Sequence, residues 1–116
     1  MTQPRIAVFF FKTDAGTEPV RDWLKELTRE DRKSIGEDIK TIQFGWPMGM
    51  PLVRKLEANL WEVRTQLDRR IARVIFTVQE DKLIMLHGFI KKSQKSSSSD
   101  LNLARQRLKQ FKEQAS

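Results

Sequence analysis

The sequence of 116 residues contains no cysteine and no tyrosine, and it has a single histidine, His87. Without cysteine there is no disulfide framework, no thiolate nucleophile and no cysteine-based zinc site. One histidine with scattered carboxylates gives too few ligands for zinc and lacks the paired spacing of a two-metal nuclease. No glycine-rich loop follows a strand and opens a helix, which argues against nucleotide-cofactor binding. We therefore expect neither a metal nor a cofactor.

Long hydrophobic runs are also lacking. The apolar run at residues 6–11 is far shorter than the roughly 18 residues of a membrane helix. The first residues do not have the basic segment and cleavage site of a signal peptide. The hydrophobic share of 39% and the charged share of 32% are ordinary for a soluble globular protein. We expect one domain over residues 1–116, a cytoplasmic location and no membrane contact.

Positive charge is concentrated in the second half of the chain. Residues 1–52 carry eight Lys/Arg and eight Asp/Glu, whereas residues 53–95 carry ten and five, and residues 96–116 carry four and two. All of the net charge of +7 therefore follows residue 52. Such asymmetry favours a polyanionic partner, of which nucleic acid is the commonest, over a basic surface that serves only solubility.

The hydrophobic pattern predicts an α+β fold. The run IAVFFF at residues 6–11 is typical of a central strand. Two helices follow, the first capped by Thr17 with Pro19 in its first turn, the second starting at Thr28 and ending at the Gly- and Pro-rich residues 45–51. The period then changes to two over residues 60–67, 70–78 and 83–90, which predicts three strands. A last helix begins at Asp100 after the serines at 96–99. We expect helices on one face of the sheet.

Strand pairing predicts which side chains share a sheet face. A two-residue turn at residues 68–69 would place Arg64 directly opposite Arg73. The apolar side chains of these two strands would then pack under the helices. Two arginines opposite each other repel by roughly 0.2–1 kcal/mol, and we expect another group to offset that cost. We call the sheet face that carries Arg64 and Arg73 the arginine face.

The third strand of the meander extends this face. If its turn, at residues 79–81, has three residues, Ile84, Leu86 and Ile90 are the core set. The arginine face then gains Met85, His87, Phe89 and Lys91. A slip of one residue would exchange the two sets. On an open face, two guanidinium groups can hold phosphate oxygens and a phenyl ring can stack on a base.

Each of these residues also has a structural interpretation. Arg64 and Arg73 can pair with Glu62 and Glu80, and a lone histidine in an apolar strand is more often structural than catalytic. Phe89 is more often part of a core, and lysines at a strand end are usually solvated. Taken one by one, these structural interpretations are favoured over the functional ones. Only the grouping of all these residues on one face makes the functional interpretation about equal to them.

Four short motifs follow one another in the second half of the chain, RKLE at 54–57, LWEVR at 60–64, RVIF at 73–76 and HGFIKKSQK at 87–95. This succession, with a helix after a serine-rich linker, resembles the phage-related HigB-like branch of the RelE/ParE toxin superfamily. The resemblance extends over nearly the whole chain. It implies a RelE-like fold, in which two N-terminal helices pack on one face of a small antiparallel sheet and a C-terminal helix follows.

The resemblance also implies a function. These proteins are toxins of type II toxin–antitoxin systems and act as metal-independent, ribosome-dependent mRNA endonucleases that inhibit translation. The 2′-hydroxyl of the RNA attacks the adjacent phosphate and leaves a cyclic phosphate and a free 5′-hydroxyl. The partners implied are mRNA, the ribosome and a cognate antitoxin, often a helix-turn-helix protein.

By this resemblance Arg64 and Arg73 stabilise the charge that develops on the phosphate. Candidates for moving protons are Lys55, His87 and Lys91. The residues expected to hold RNA are Arg54, Phe89, Lys92 and Lys95. Many members of the superfamily have a tyrosine near the end of the last strand, and this chain has none. Because a phenyl ring cannot exchange a proton, the general acid and base stay unassigned.

Two other functions fit the same sequence. A non-enzymatic nucleic-acid-binding module or an inactive toxin relative would bind RNA without cleaving it. A docking surface for an acidic protein would bind its partner regardless of RNA. Growth arrest with RNA cleavage on expression separates the toxin from both.

Overall fold

The computed structural model describes residues 6–91 and 98–115. Within these ranges the elements, in chain order, are β1 Ala7–Phe10, α1 Pro19–Glu26, α2 Arg29–Gly45, β2 Val53–Glu57, β3 Leu60–Leu67, β4 Arg70–Gln79, β5 Lys82–Lys91 and α3 Ser98–Ala115. The α+β class and the order of helices and meander are confirmed. None of the described helices is both long and apolar enough to cross a membrane.

The described strands form one mixed sheet in the order β1-β5-β4-β3-β2. The meander β2 to β5 is antiparallel, and β1 runs parallel to β5. The predictions of a purely antiparallel sheet and of a central first strand are therefore wrong. The apolar run of β1 arises because Val8 and Phe10 pack under α1 and α2 while Phe11 enters a second core on the other sheet face. Phe9, between them, is 46% exposed, as an edge strand allows.

Strand β2 is an element that the sequence pattern did not predict. It is short, it pairs with β3 from Val53 to Glu57, and its register shifts between Lys55 and Glu57. In a five-residue strand with an irregular register, the alternation of apolar and polar residues is too short to recognise in the sequence. The β3–β4 hairpin, in contrast, has the predicted register, with Leu67 opposite Arg70.

The β4–β5 pair contains a β-bulge that changes the predicted faces. The turn has two residues rather than three, since Gln79 pairs with Lys82, and the register shifts between Ile75 and Phe76, where Leu86 is the extra residue on β5. A bulge reverses the alternation of side chains along the strand. The prediction is therefore right for His87, Phe89 and Lys91, which follow the bulge. It is wrong for the residues up to the bulge: Met85 lies under α1 and α2, and Ile84 and Leu86 lie on the arginine face.

Helices α1 and α2 cover one face of the sheet. The side chain of Thr28 accepts a hydrogen bond of 3.1 Å from the backbone N–H of Asp31, so the predicted cap starts α2. The buried stripe of α2 is Ile35, Ile39 and Ile42, as the spacing predicts, and it packs on the sheet through side chains such as Val63, Val74 and Phe76.

Helix α3 covers the opposite face, which corrects the expectation that the helices lie on one face only. Its side chains Leu101, Ala104, Leu108 and Phe111 follow one side of the helix, as predicted, and form a second core. The sheet side chains of that core are Leu60, Ile75, Ile84, Leu86 and Phe89. The arginine face is thus partly covered by α3. The bulge and the strand alternation place apolar side chains on this face, and α3 buries them.

Gly88 permits the close packing of α1 on the sheet. A Cβ atom at this position would lie 2.4 Å from two ring atoms of Trp23. We predict that Gly88→Ala lowers the free energy of unfolding by about 1–3 kcal/mol, since overpacking forces the indole or the strand to move. Urea denaturation measures this change.

Gly36→Ala is the matched control. Gly36 lies inside α2, and a Cβ there would meet nothing within 4 Å. This substitution should raise stability by about 0.5–1 kcal/mol. If Gly88→Ala is as stable as the unsubstituted protein, the packing of Trp23 does not require a residue without a Cβ atom at position 88.

Candidate active site

The arginine face brings most of the predicted site residues together. Arg64 pairs directly with Arg73, and Arg73 with Phe89. The rows on either side of this one contain Arg54, Glu62, Ile75 and His87, and then Gln66, Ile71 and Lys91. One sheet face therefore carries Arg54, Arg64, Arg73, His87, Phe89 and Lys91.

Three predicted residues are not part of this grouping. Lys55 pairs with Trp61 on the other side of the sheet, where its Nζ lies 5.7 Å from the centre of the indole ring. Strand alternation sends it to that face because its neighbour Arg54 occupies the arginine face. Lys92 and Lys95 lie outside the described residues.

Arg73 is buried, which corrects the expectation of an open pair of arginines. Its side chain and that of Glu62 are both 0% exposed, and its Nη1 donates to Oε1 of Glu62 at 2.8 Å. Glu62 is the diagonal neighbour of Arg73 across the hairpin, within reach of a long side chain. A carboxylate of the protein thus offsets the repulsion between the two arginines, in agreement with the structural interpretation that pairs them with Glu62.

His87 is held by two residues of α3. Its Nε2 lies 2.8 Å from Oδ1 of Asp100, and its Nδ1 lies 3.3 Å from Nη1 of Arg107. A guanidinium nitrogen can only donate, so Nδ1 accepts and the ring proton on Nε2 is donated to Asp100. Arg107 also donates to the backbone oxygen of Leu86 at 2.9 Å, and burial lowers the pKa of its guanidinium.

Lys91 completes this cluster. Its Nζ lies 3.2 Å from Oδ2 of Asp100 and 5.5 Å from the centre of the Phe89 ring. The Phe89 ring stacks on His87 with centroids 5.2 Å apart and an angle of 23° between planes. Phe89 is only 9% exposed, so its ring belongs to the core as well as to the cluster.

Asp100, Arg107 and Glu62 are the site residues that the sequence analysis did not assign. Asp100 contacts two of the three proton-transfer candidates, His87 and Lys91, although the sequence showed only an acidic residue at the start of a helix. Its position over β5 follows from the side of the sheet that α3 covers. Glu62 was foreseen only as one alternative partner of the arginines.

A salt bridge fixes the middle of α3 to the β2–β3 hairpin. Arg105 donates to both carboxylate oxygens of Glu57 over 2.6–3.1 Å. The hydrogen bond from Arg105 lowers the pKa of Glu57 below its ordinary value. A lowered pKa in the folded state means that this attachment contributes above the unfolded pKa and is lost as the pH falls through the folded one. Acidic pH therefore weakens the attachment of α3 to the β2–β3 hairpin.

Arg64 lines a groove beside the covered part of the face. The groove has a volume of about 380 Å³ and is lined by Asp38 of α2, Pro51 and Leu52 before β2, Arg64 and Gln66 of β3 and Ile71 of β4. Arg64 is half-buried, in contrast to Arg73. The groove gives a ligand access to the arginine face.

Cations and hydrogen-bonding groups make up the chemistry of this face. Among residues 6–91 and 98–115, no three His, Asp or Glu side chains are placed to hold a metal ion. Arginines near a phosphate can stabilise added negative charge, and a histidine and a lysine can exchange protons. These side chains are of the kinds that phosphate-ester chemistry can use.

The α+β architecture is compatible with a RelE-like fold. The family model described as "Phage derived protein Gp49-like (DUF891)" matches residues 22–109, well over half of the chain, and the chain belongs to this family. The Gp49-like family is a family of RelE/ParE-like toxins. No curated protein matches the chain closely enough to count as a relative.

The buried pair of Glu62 and Arg73 makes a prediction about stability. Glu62→Leu leaves a guanidinium buried without this partner and should lower the free energy of unfolding by about 3–5 kcal/mol. The double substitution Glu62→Leu/Arg73→Met should recover much of that loss, because an apolar pair of similar size needs no charge compensation. Chemical denaturation measures both.

The exposed pair of Arg21 and Glu18 supplies the control. Arg21→Met should change stability by at most about 1 kcal/mol, since that pair is solvated. If Glu62→Leu costs no more than Arg21→Met, the buried pair does not hold the sheet centre together.

Proposed function

We propose that this chain is the toxin of a type II toxin–antitoxin pair, of the HigB-like kind, and cleaves mRNA at the ribosome without a metal ion. The observation that carries the proposal is the grouping of Arg64, Arg73, His87 and Lys91 on one sheet face in a Gp49-like chain. The cognate partner is an antitoxin, and translation is the process inhibited.

The reaction uses the nucleophile that RNA supplies. The 2′-oxygen attacks the adjacent phosphorus and forms a new O–P bond, and the bond from phosphorus to the 5′-oxygen of the next nucleotide breaks. One proton leaves the 2′-hydroxyl and one is delivered to the departing 5′-oxygen. The products are a cyclic phosphate and a free 5′-hydroxyl, and no electron is gained or lost.

Arg64 is the cation that we assign to the scissile phosphate. It lines the groove, so a phosphate can reach its guanidinium, whereas Arg73 is enclosed with Glu62. Arg73, neutralised by Glu62, then holds the strand opposite Arg64 in place and does not contact the phosphate. A preorganised cation such as Arg64 stabilises the charge that develops in the transition state.

His87 and Lys91 are the candidates for the proton transfers. Both are bonded to Asp100 in the present arrangement, and RNA must take the place of that carboxylate to engage them. A phosphate carries the same sign of charge as Asp100 and offers the same kind of acceptor oxygens. Binding of RNA is therefore expected to displace the first turn of α3 from the face.

A non-enzymatic RNA-binding module is the second candidate. The observation that favours it is that His87, Lys91 and Arg73 are all engaged by carboxylates of the chain itself. Such a protein would hold RNA at Arg64 and leave it intact.

Removal of Arg64 tests the proposal. We predict that Arg64→Ala abolishes the growth arrest that the unsubstituted protein causes when induced in a bacterial host. Loss of one charge-stabilising group lowers such rates by about 10²–10³-fold. The fold should survive, because Arg64 is half-buried at the groove and lies outside both apolar cores. Growth curves and the mapped ends of cellular mRNA are the readouts.

Arg29→Ala is the matched control, since Arg29 is exposed in the first turn of α2. It removes the same charge and should leave toxicity and mRNA ends unchanged. Soluble, folded Arg64→Ala that still arrests growth with the same mRNA ends would overturn the assignment. Soluble unsubstituted protein that leaves growth and mRNA intact would favour the binding module.

Phosphate contacts also predict a steep salt dependence of RNA binding. Each contact to single-stranded RNA contributes about −0.7 to the slope of log affinity against log salt concentration. We expect Arg64→Ala to make that slope shallower by about one contact. Fluorescence anisotropy with a labelled RNA measures the slope, and an affinity that does not change with salt would rule out phosphate recognition.

A further inference from the structure

The groove at Arg64 combines three kinds of chemistry in about 380 Å³. Its lining combines the basic Arg64, the acidic Asp38 and the amide Gln66 with the apolar Leu52, Pro51 and Ile71. The volume falls within the roughly 300–1,000 Å³ of pockets that hold small ligands. A ligand that matches it has an anionic part, a flat apolar body and hydrogen-bond donors.

Gln66 adds a second acceptor. Its Nε2 donates to the backbone oxygens of Leu67 at 3.0 Å and of Arg70 at 3.2 Å. These two bonds fix the orientation of the amide, so its Oε1 is the atom left to accept from a ligand. A carboxylate such as that of Asp38 accepts hydrogen bonds, and within the described residues Asp38 forms no side-chain hydrogen bond or ion pair. Asp38 and Gln66 therefore favour a ligand that carries hydrogen-bond donors.

We propose that this groove binds a single guanine nucleotide of the RNA, next to the phosphate held by Arg64. Guanine presents N1–H and the 2-amino group side by side, which suits a carboxylate that accepts two hydrogen bonds. Uracil offers one such donor, and adenine and cytosine offer one amino group beside an acceptor nitrogen, which a carboxylate repels. Leu52, Pro51 and Ile71 would contact the faces of the base. This inference rests on the proposed function and names the base that the site selects.

Binding of mononucleotides tests the groove without any cleavage. The protein labelled with ¹⁵N is titrated with guanosine 5′-monophosphate, inosine 5′-monophosphate or uridine 5′-monophosphate, and amide shifts are followed by NMR. We expect the guanine nucleotide to shift the amides of Leu52, Gln66 and Ile71. Its affinity should exceed that of the uracil nucleotide on the order of tenfold, the size of a good paired contact to a base. The inosine nucleotide, which lacks the 2-amino group, should fall between them.

Two substitutions separate base recognition from phosphate binding. Asp38→Asn should remove the preference for guanine and leave the uracil nucleotide bound as before. Glu37→Gln removes the same charge from an exposed neighbour on α2 and should change neither. Guanine preference retained in Asp38→Asn, or shifts confined to other parts of the protein, would overturn the proposal.

The outcome is independent of the outcome for RNA cleavage. Cleavage that depends on Arg64, with no nucleotide in the groove, overturns the base site and leaves the proposed function standing. A guanine nucleotide bound in the groove of a protein that cleaves no RNA supports the site and overturns the endonuclease.

Discussion

The buried ion pair between Arg73 and Glu62 is the constraint on which the rest of the arginine face depends. Two fully enclosed charges are costly to desolvate, and their short contact of 2.8 Å offsets part of that cost. The pair also removes the repulsion that Arg64 would otherwise meet from the arginine opposite. Because the centre of the face is neutralised in this way, the apolar side of α3 can pack over it, and Arg64 is left at the margin where a groove opens.

Much of the fold could be predicted from the sequence, and the parts that could not have a physical cause. The register of the β3–β4 hairpin follows from a two-residue turn, and the start of α2 follows from a local cap at Thr28. The bulge at Leu86 depends on tertiary packing and leaves no local signal. An amphipathic helix such as α3 shows that it has a buried side, but its sequence does not say which sheet face that side covers.

In the candidate site, too, the local features could be predicted from the sequence and the contacts between elements could not. Alternation along the strands after the bulge places His87, Phe89 and Lys91 beside the arginines, and the same alternation takes Lys55 to the other face. Charge counts could not reveal that carboxylates from the chain itself, Glu62 and Asp100, hold the cations. Those contacts join residues on separate elements, so they depend on how the elements pack. Strand alternation therefore grouped these residues on one face, and the basic composition overstated how much of that face is open.

The chemistry of the RNA ends tests the central claim most directly, namely that this face cleaves RNA with the 2′-hydroxyl and the cations of the chain. RNA from cells in which the protein is induced is ligated by methods that capture either 5′-hydroxyl or 5′-phosphate ends. The account predicts new fragments with 5′-hydroxyl and cyclic phosphate ends. New fragments that instead carry 5′-phosphate and 3′-hydroxyl ends would contradict it, because water and not the ribose would then be the nucleophile.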